Sequence, residues 1–232
     1  MGAMSVEPST TSSVPERLVQ STIELLSEEG PSAIKARTVA ARTGLSTMVV
    51  YSHFGGIPEL TRAVVDYGFG ELDRAFSSVS VTKDPVADLF VMALATRQAA
   101  SSNPHLYDLM FGLSTRATYR PLADGDLRLS GHSAAFQSGY AHITKACTRL
   151  IDSGRVRAED PEIVAAQLWS MVHGYIGLEL GAHFAEFEDP ARQVLLPMAV
   201  SLTVGMGDRR SRAEASHLRA VERFAKCGDG SF

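Results

Sequence analysis

The sequence predicts an all-α protein in which a small N-terminal helix-turn-helix domain of three helices precedes a larger helical domain. Three observations support this fold class. A capping residue followed by proline recurs at four places, apolar residues between them repeat at helical spacing, and no stretch alternates apolar and polar residues as a half-buried strand would. The length of 232 residues and the apolar content of 45% suit a globular chain of this size.

Composition sets the domain boundaries. The first residues are rich in Ser, Thr and Pro with few apolar side chains, which is typical of disorder, and the last are rich in Arg. The domains we predict are a disordered tail at 1–14, a helix-turn-helix domain at 15–60, a helical ligand-binding and dimerisation domain at 61–206, and a basic tail at 207–232.

The capping pairs mark where helices of the second domain begin. Asp or Asn accepts a hydrogen bond from an otherwise unpaired amide of the first turn, and Pro has no amide hydrogen to leave unpaired. The pairs are Asp84-Pro85, Asn103-Pro104, Asp160-Pro161 and Asp189-Pro190. The helices we predict after the first domain lie near 57–76, 85–101, 104–113, 128–153, 161–185 and 190–206. We expect Pro197 to kink the last of them.

The basic tail also has helical spacing. Leu218, Val221 and Phe224 are three residues apart, which favours one more helix. We expect its cations to face solvent rather than DNA.

The segment 35–60 organises the first domain. Val39 and Ala40 give a short helix its buried face, and Gly44 supplies the positive φ that ends it. Ser46 is expected to cap the next helix with its hydroxyl, and Val50 points inward. The opposite face of that second helix carries small and hydroxylated residues with one long ring. These features are typical of a helix-turn-helix whose second helix enters the major groove of DNA.

Charge supports this interpretation. No Asp or Glu occurs between Gly30 and Pro58, whereas Lys35, Arg37 and Arg42 are cationic in a chain of net charge −4. A surface that approaches phosphates excludes carboxylates, so we expect a local DNA-binding patch rather than a chain that coats nucleic acid. A helical hairpin inside an all-α core would not place a ring, hydroxyls and cations together on one face.

The residues VAARTGLS, VVYSHF and GGIPEL resemble the DNA-binding domain of the TetR family of bacterial repressors, over residues 15–60. The stretch WSMVHGYIGLEL resembles the family's variant ligand domain named for Trp, His and Gly. Lys35 stands where the family usually has a capping Thr or Ser, and Ile57 where it often has Lys.

The resemblance implies a homodimeric, cytoplasmic, nucleoid-associated repressor that binds a palindromic operator and is released by a small ligand. The residues expected at the DNA are Lys35, Arg37, Ser46, Thr47, Met48, Tyr51, Ser52 and His53. Within that set, we expect Tyr51 to bind a phosphate and Thr47 and Met48 to set base preference. A constitutive DNA-binding protein without an effector is the alternative within the same class.

A stripe of small residues in the predicted helix 161–185 predicts a close helix contact. Ser170, Gly174, Gly177 and Gly181 follow one another at steps of four, three and four. Each glycine in a helix interior is destabilising by about 1 kcal/mol relative to Ala, so close approach of another helix is the natural compensation. We interpret the stripe as the dimer interface, and internal packing within one subunit is the alternative.

Aromatic and sulfur-containing side chains of the second domain suggest a pocket for a small, largely apolar ligand. The residues proposed to line it are Met92, Met110, Phe111, Phe136, Tyr140, Trp169 and His173, and His132 lies on the same stripe as Phe136. Stripes of this kind also occur in an ordinary core, and only the family resemblance favours the pocket.

Other classes of protein find little support. The common catalytic and nucleotide-binding motifs are missing, the histidines lack metal-ligand spacing, and we predict no catalytic residue, metal or cofactor. An enzyme with a site among Tyr140, His173 and Glu179 is the remaining alternative. Two cysteines and no apolar run of about 18 residues indicate a cytosolic protein without a membrane span.

Overall fold

The structure is a computed structural model that describes residues 12–111 and 133–228. Within these ranges it contains ten α-helices and no strand, which confirms the all-α prediction. The helices are α1 (Val14–Glu29), α2 (Ala36–Thr43), α3 (Thr47–Phe54), α4 (Ile57–Ser78), α5 (Pro85–Ser102), α6 (Pro104–Phe111), α7 (Ala134–Asp152), α8 (Pro161–Leu180), α9 (Leu196–Met206) and α10 (Arg210–Gly228). Most of the predicted disordered tail, His132, and the predicted helical residues 112–113 and 128–132 lie outside the described ranges.

The chain divides after Tyr67 into two compact units, whereas the predicted boundary lies at residue 60. In the first unit, α1, α2 and α3 surround a core that includes Leu18, Leu25, Val39 and Val50. Helix α1 begins with a capping box, in which Ser13 and Glu16 each accept a hydrogen bond from the other's backbone amide.

The capping pairs of the second unit begin helices as predicted. The Asp84 carboxylate accepts from the Ala87 amide at 3.3 Å, and the Asp160 carboxylate accepts from the Glu162 amide at 2.9 Å. Asn103 caps α6 in the same way. Because these contacts join residues two or three apart, the local sequence is sufficient to specify them.

The predicted helix 190–206 is two elements. Residues Ala191–Leu195 form a π-helical turn, and α9 begins at Leu196 with Pro197 in its first turn. Pro197 has no amide hydrogen to donate to the preceding turn. The wider turn places that proline where no donor is needed, and the amide of Leu196 donates to the carbonyl of Ala191 instead.

The basic C-terminal segment forms the predicted helix, but one face of that helix packs against α5 as part of the second unit. Helix α10 packs along α5, and Ala213, Ser216, His217 and Ala220 on it are buried. Its arginines reach acids near the start of α5: Arg219 contacts Asp84 at 2.5 Å. The small residues let α10 approach α5 closely. Arg219 and Arg223 bind Asp84 and Asp88, whereas the other basic residues of the segment are exposed: Arg209, Arg210, Arg212 and Lys226.

Within the described residues, no helix is both long enough and apolar enough to span a membrane.

Candidate DNA-binding surface and ligand site

The turn between α2 and α3 has the predicted geometry. Gly44 lies in the left-handed region at φ 69°, and its amide closes α2 on the carbonyls of Ala40 and Ala41. Val50 is fully buried on the inner face of α3, and Gly55 at φ 73° ends that helix. The backbone therefore fixes the direction in which α3 presents its outer face.

The N-caps of α2 and α3 both lack a side-chain hydrogen bond. Ser46 occupies the N-cap position of α3 as predicted, but its hydroxyl accepts no capping hydrogen bond. The amide of Val49 instead donates to the backbone carbonyl of Ser46 at 3.0 Å, which leaves the hydroxyl exposed. Lys35 occupies the N-cap of α2 without a side-chain cap, as its chemistry requires.

The side chains assigned to DNA share one property, which is exposure to solvent. Met48 is 72% exposed and Tyr51 is 53% exposed, although both are large and hydrophobic in part. The exposed set is Lys35, Arg37, Ser46, Thr47, Met48, Tyr51, Ser52 and His53.

The charge of this surface is smaller than the sequence suggests. Arg42 donates two hydrogen bonds to the carboxylate of Glu28, at 2.6 and 3.1 Å, and lies 3.7 Å from Glu29. That arginine is therefore engaged within the first unit. Lys35 and Arg37 are the cations of the α2–α3 segment that the structure leaves exposed without such a pairing.

Five of the proposed pocket residues form one aromatic cluster in the second unit. The Trp169 ring lies 4.0 Å from His173 and 5.4 Å from Tyr140 between ring centroids. Phe111 lies 4.3 Å from His173, and Phe136 lies 6.1 Å from Trp169. Helices α6, α7 and α8 thus contribute rings to a single cluster around Trp169.

Two cavities adjoin this cluster, and Trp169 lines both. The inner cavity has a volume of about 50 Å³ and is lined by residues of α4, α5, α7, α8, α9 and α10, among them Met92. The outer groove has a volume of about 580 Å³ and runs between α7 and α8, past Phe136 and Tyr140. Its polar lining includes Lys145 and Glu162.

Met110, which we predicted in the pocket, lies elsewhere. Its sulfur occupies the space beside Gly68 of α4 where a β-carbon would otherwise be, so α6 and α4 approach closely there. Met110 therefore joins α6 to α4 and lines neither cavity. Phe111 and His173, which we also predicted in the pocket, belong to the aromatic cluster but line neither cavity.

His173 is neutral at physiological pH. Burial lowers the pKa of its imidazole to about 3, and its Nδ1 is hydrogen-bonded to the hydroxyl of Tyr107. Its Nε2 is buried and has no hydrogen-bond partner among the described residues. Tyr107 was missed from the sequence, although its spacing of four from Phe111 is a helical signal.

The residues of the alternative enzyme site take structural partners. The Glu179 carboxylate accepts hydrogen bonds from the Arg97 guanidinium at 2.7 Å and from the Tyr175 hydroxyl at 2.8 Å. Together with the Tyr107–His173 contact, these bonds hold Glu179 and His173 in different networks rather than in one catalytic group.

The small-residue stripe of α8 does not face the interior of its own subunit. Ser170, Gly174 and Gly181 are exposed, and a β-carbon added at Gly174 or Gly177 would meet nothing within 4 Å. This geometry contradicts the alternative of internal packing at those two glycines. Exposed apolar side chains accompany the stripe, with Ile163 46% and Leu178 47% exposed.

The second unit matches a known family of domains. Residues 89–199, which include the aromatic cluster and most of the inner cavity, match the family model described as "Tetracyclin repressor-like, C-terminal domain". The helix-turn-helix precedes this match in the chain. The chain therefore contains a TetR-like C-terminal domain.

The relatives and solved structures that this chain resembles are distant in sequence. An uncharacterised HTH-type transcriptional regulator of Mycobacterium tuberculosis, Rv0681, is 23% identical over 194 residues, which cover 84% of this chain and 82% of the relative. A Rhodococcus sp. RHA1 structure of unknown function is 20% identical with a TM-score of 0.69, covering 88% of this chain and all of the other. The structure of RolR in complex with resorcinol is 14% identical with a TM-score of 0.61, covering 88% and 92%. These structures share the fold, and the chain is a DNA-binding transcriptional regulator.

The TetR-family domain of this chain contains a buried ionic network that the sequence did not reveal. Asp88 is fully buried and accepts hydrogen bonds from Arg149 of α7 at 2.9 Å and Arg223 of α10 at 2.8 Å. Asp84 binds Arg155 and Arg219, and Arg155 also binds Asp208. The network ties α5, α7 and α10 together around the inner cavity.

Proposed function

We propose that this regulator is a homodimeric repressor that leaves a palindromic operator when a small, largely apolar ligand binds its second unit. The observation that carries the proposal is the exposed, carboxylate-free face of α2 and α3, on which Met48 and Tyr51 stand beside Lys35 and Arg37. The protein would act in the bacterial cytoplasm at the nucleoid, without a metal or cofactor and without a catalytic role.

Dimerisation is part of the proposal. The stripe of Ser170, Gly174, Gly177 and Gly181 would meet its symmetry mate, and exposed Met198 of α9 would extend the interface. A two-fold protein presents two recognition helices, which bind successive turns of one DNA face when they lie about 34–36 Å apart. This spacing is what an effector would change.

Helix α4 supplies the connection between ligand and DNA. It begins at Ile57, directly after the turn that ends α3, and its Phe76 lines the inner cavity. A ligand that enlarges the cavity would displace Phe76 and with it α4. RolR, which shares the fold, has been solved in complex with resorcinol, so a protein of this fold can bind a compact molecule.

The proposal is tested by selecting duplexes from a random library with the purified protein. A recovered palindrome, protected as two half-sites one helical turn apart, supports the dimeric repressor. Recovery of asymmetric single sites would contradict it. If no compound releases the operator, the protein is instead a constitutive DNA-binding protein without an effector.

Tyr51→Phe is expected to weaken binding to operator and random duplexes by the same factor, about 3- to 10-fold, because the lost hydroxyl is a phosphate donor. A mobility-shift titration at fixed salt measures both affinities. Tyr67→Phe, at another exposed tyrosine, is the control and should leave them unchanged. A loss confined to the operator would assign Tyr51 to base recognition instead.

Lys35→Ala and Arg37→Ala should each reduce the slope of log affinity against log salt by about one unit, because each removes one phosphate contact. The slope is measured by repeating the titration over a series of salt concentrations. Lys226→Ala, an exposed cation of α10, is the control for net charge and should keep the slope. If all three variants keep the slope of the wild type, Lys35 and Arg37 do not contact DNA phosphates.

A further inference from the structure

The inner cavity has an unusual distribution of hydrogen-bonding groups. Its described lining is apolar except for Thr96, Thr203, His217 and the indole of Trp169, and no described Lys, Arg, Asp or Glu lines it. An ionised ligand group would therefore be buried without a counter-charge, which is strongly unfavourable. Neutral molecules are the class of ligand that this lining can hold.

The hydroxyl protons of both threonines already form hydrogen bonds within the protein. The Thr96 hydroxyl donates to the carbonyl of Met92 at 2.9 Å, and the Thr203 hydroxyl donates to the carbonyl of Ala199 at 2.8 Å. A hydroxyl has one proton and two lone pairs. Each threonine therefore has only an acceptor left for a molecule in the cavity.

His217 likewise has only an acceptor left for a ligand. Its Nδ1 lies 2.8 Å from the carbonyl oxygen of Ala213, which can only accept, so Nδ1 carries the ring proton. Burial lowers the pKa of this imidazole, partly opposed by the hydrogen bond to Ala213, and the ring is neutral. Its other nitrogen, Nε2, is consequently an acceptor.

We propose that the inner cavity binds a neutral, compact, apolar molecule with a hydroxyl group that donates a hydrogen bond to Thr96, Thr203 or His217. Trp169, which also lines the outer groove, carries the one uncommitted side-chain N–H among the described lining residues of the inner cavity. A ligand hydroxyl therefore has acceptors rather than further donors around it. This inference rests on the proposed function in taking the inner cavity as the effector site, and it adds the chemical class of the effector.

The size of the cavity limits the ligand and implies that the lining moves. A volume of about 50 Å³ is smaller than a ring-sized molecule requires. Met92, Met171 and Met206 line the cavity, and methionine side chains rearrange easily because they are unbranched and flexible. Entry of the ligand therefore repacks these methionines and presses on Phe76 of α4.

The test is calorimetric titration of the full-length protein with four ring compounds at neutral pH. Phenol carries a hydroxyl, toluene has the same shape without a donor, benzoate is an anion and benzylamine is a cation. We expect phenol to bind about 3- to 10-fold more tightly than toluene, as one neutral hydrogen bond allows. Benzoate and benzylamine should bind more than about a hundredfold more weakly than phenol.

Variants locate the site. Thr96→Val, Thr203→Val and His217→Phe each remove one acceptor, and at least one of them should reduce the preference for phenol over toluene to about onefold. Thr148→Val is the matched control, because Thr148 makes the same bond to its own helix but lies on the surface of α7. Thermal melts verify folding, and Thr203→Ala or His217→Leu, which also remove the acceptor, replaces a variant that does not fold.

Three results would overturn the inference: no saturable binding of phenol, equal or tighter binding of an ionised compound, or a preference for phenol that survives in all three variants. Mobility shifts with the operator keep this outcome separate from the proposed function. Binding of phenol with the expected preference but without release of DNA would leave the inference standing and contradict ligand release. Release of DNA by benzoate would support ligand release and contradict the inference about the ligand class.

Discussion

Asp88→Ala should lower the free energy of unfolding by about 3–5 kcal/mol, a large effect for one substitution. The Asp88 carboxylate is fully buried and also accepts from the amide and hydroxyl of Thr82, at 2.9 and 2.7 Å. Removing it leaves the guanidinium groups of Arg149 and Arg223 without their shared counter-charge. Urea and thermal unfolding followed by circular dichroism measure the change, and the melting temperature should fall by about 6–20 °C.

Glu222→Ala is the matched control, because Glu222 is an exposed acid of α10 next to Arg223. It should change the free energy of unfolding by less than about 0.5 kcal/mol. A loss of under about 1 kcal/mol in Asp88→Ala would show that the ion pairs of Asp88 contribute little to the stability of the fold.

The same network predicts a dependence on pH. Burial acts to raise the pKa of Asp88, but hydrogen bonds from Thr82, Arg223 and Arg149 outweigh it, and the net shift is downward. A carboxylate with a lowered pKa stabilises the fold fully above its unfolded pKa, near 3.9, and loses that contribution as pH falls through the folded value. The difference in stability between wild type and Asp88→Ala should therefore shrink below about pH 4.

Gly174→Leu should separate the dimer without unfolding the subunit, and it should abolish operator binding at concentrations where the wild type binds. Nothing in the subunit lies within 4 Å of a β-carbon at Gly174, so the leucine has room there and improves helix propensity by about 0.8–1.0 kcal/mol. At a two-fold interface, the same side chain enters twice at the closest approach of two backbones. Overpacking of this kind is destabilising by about 1–3 kcal/mol for each insertion.

Three measurements on one preparation test this prediction. Sedimentation gives the oligomeric state, a circular dichroism spectrum shows folding, and a mobility-shift titration gives operator binding. Gly177→Leu should behave in the same way, whereas Ala99→Leu, which adds similar bulk to an exposed position of α5, should remain dimeric. A Gly174→Leu protein that sediments as the wild-type dimer would move the interface away from this stripe.

Local sequence was sufficient for some elements and insufficient for others. The helix starts at Asp84 and Asp160 depend on residues two or three apart, and the turn at Gly44 depends on one backbone angle. Helix α10 was predicted, but its packing against α5 was not, because its partners are remote in the sequence. Arg219 and Asp84 are 135 residues apart, and no periodicity in a charge run reveals such a contact.

The ligand site shows the same division. The aromatic stripe of α7 and the Trp169–His173 pair were predicted as one region, and their rings do meet. His217 and Thr203 were missed because they come from helices that face the cavity only after α10 folds onto α5. Met110 has the composition of a pocket residue, but a single glycine at position 68 determines where it packs.

Trp169 is the only tryptophan in the 232 residues, and it lines both the inner cavity and the outer groove. The intrinsic fluorescence of this protein excited at the indole band therefore originates at the boundary of the two spaces and nowhere else. The DNA-binding unit contributes no indole emission that could obscure the signal. The unlabelled regulator is thus its own optical reporter, in which the wavelength and quenching of one ring record occupancy of the second unit while DNA is bound or absent.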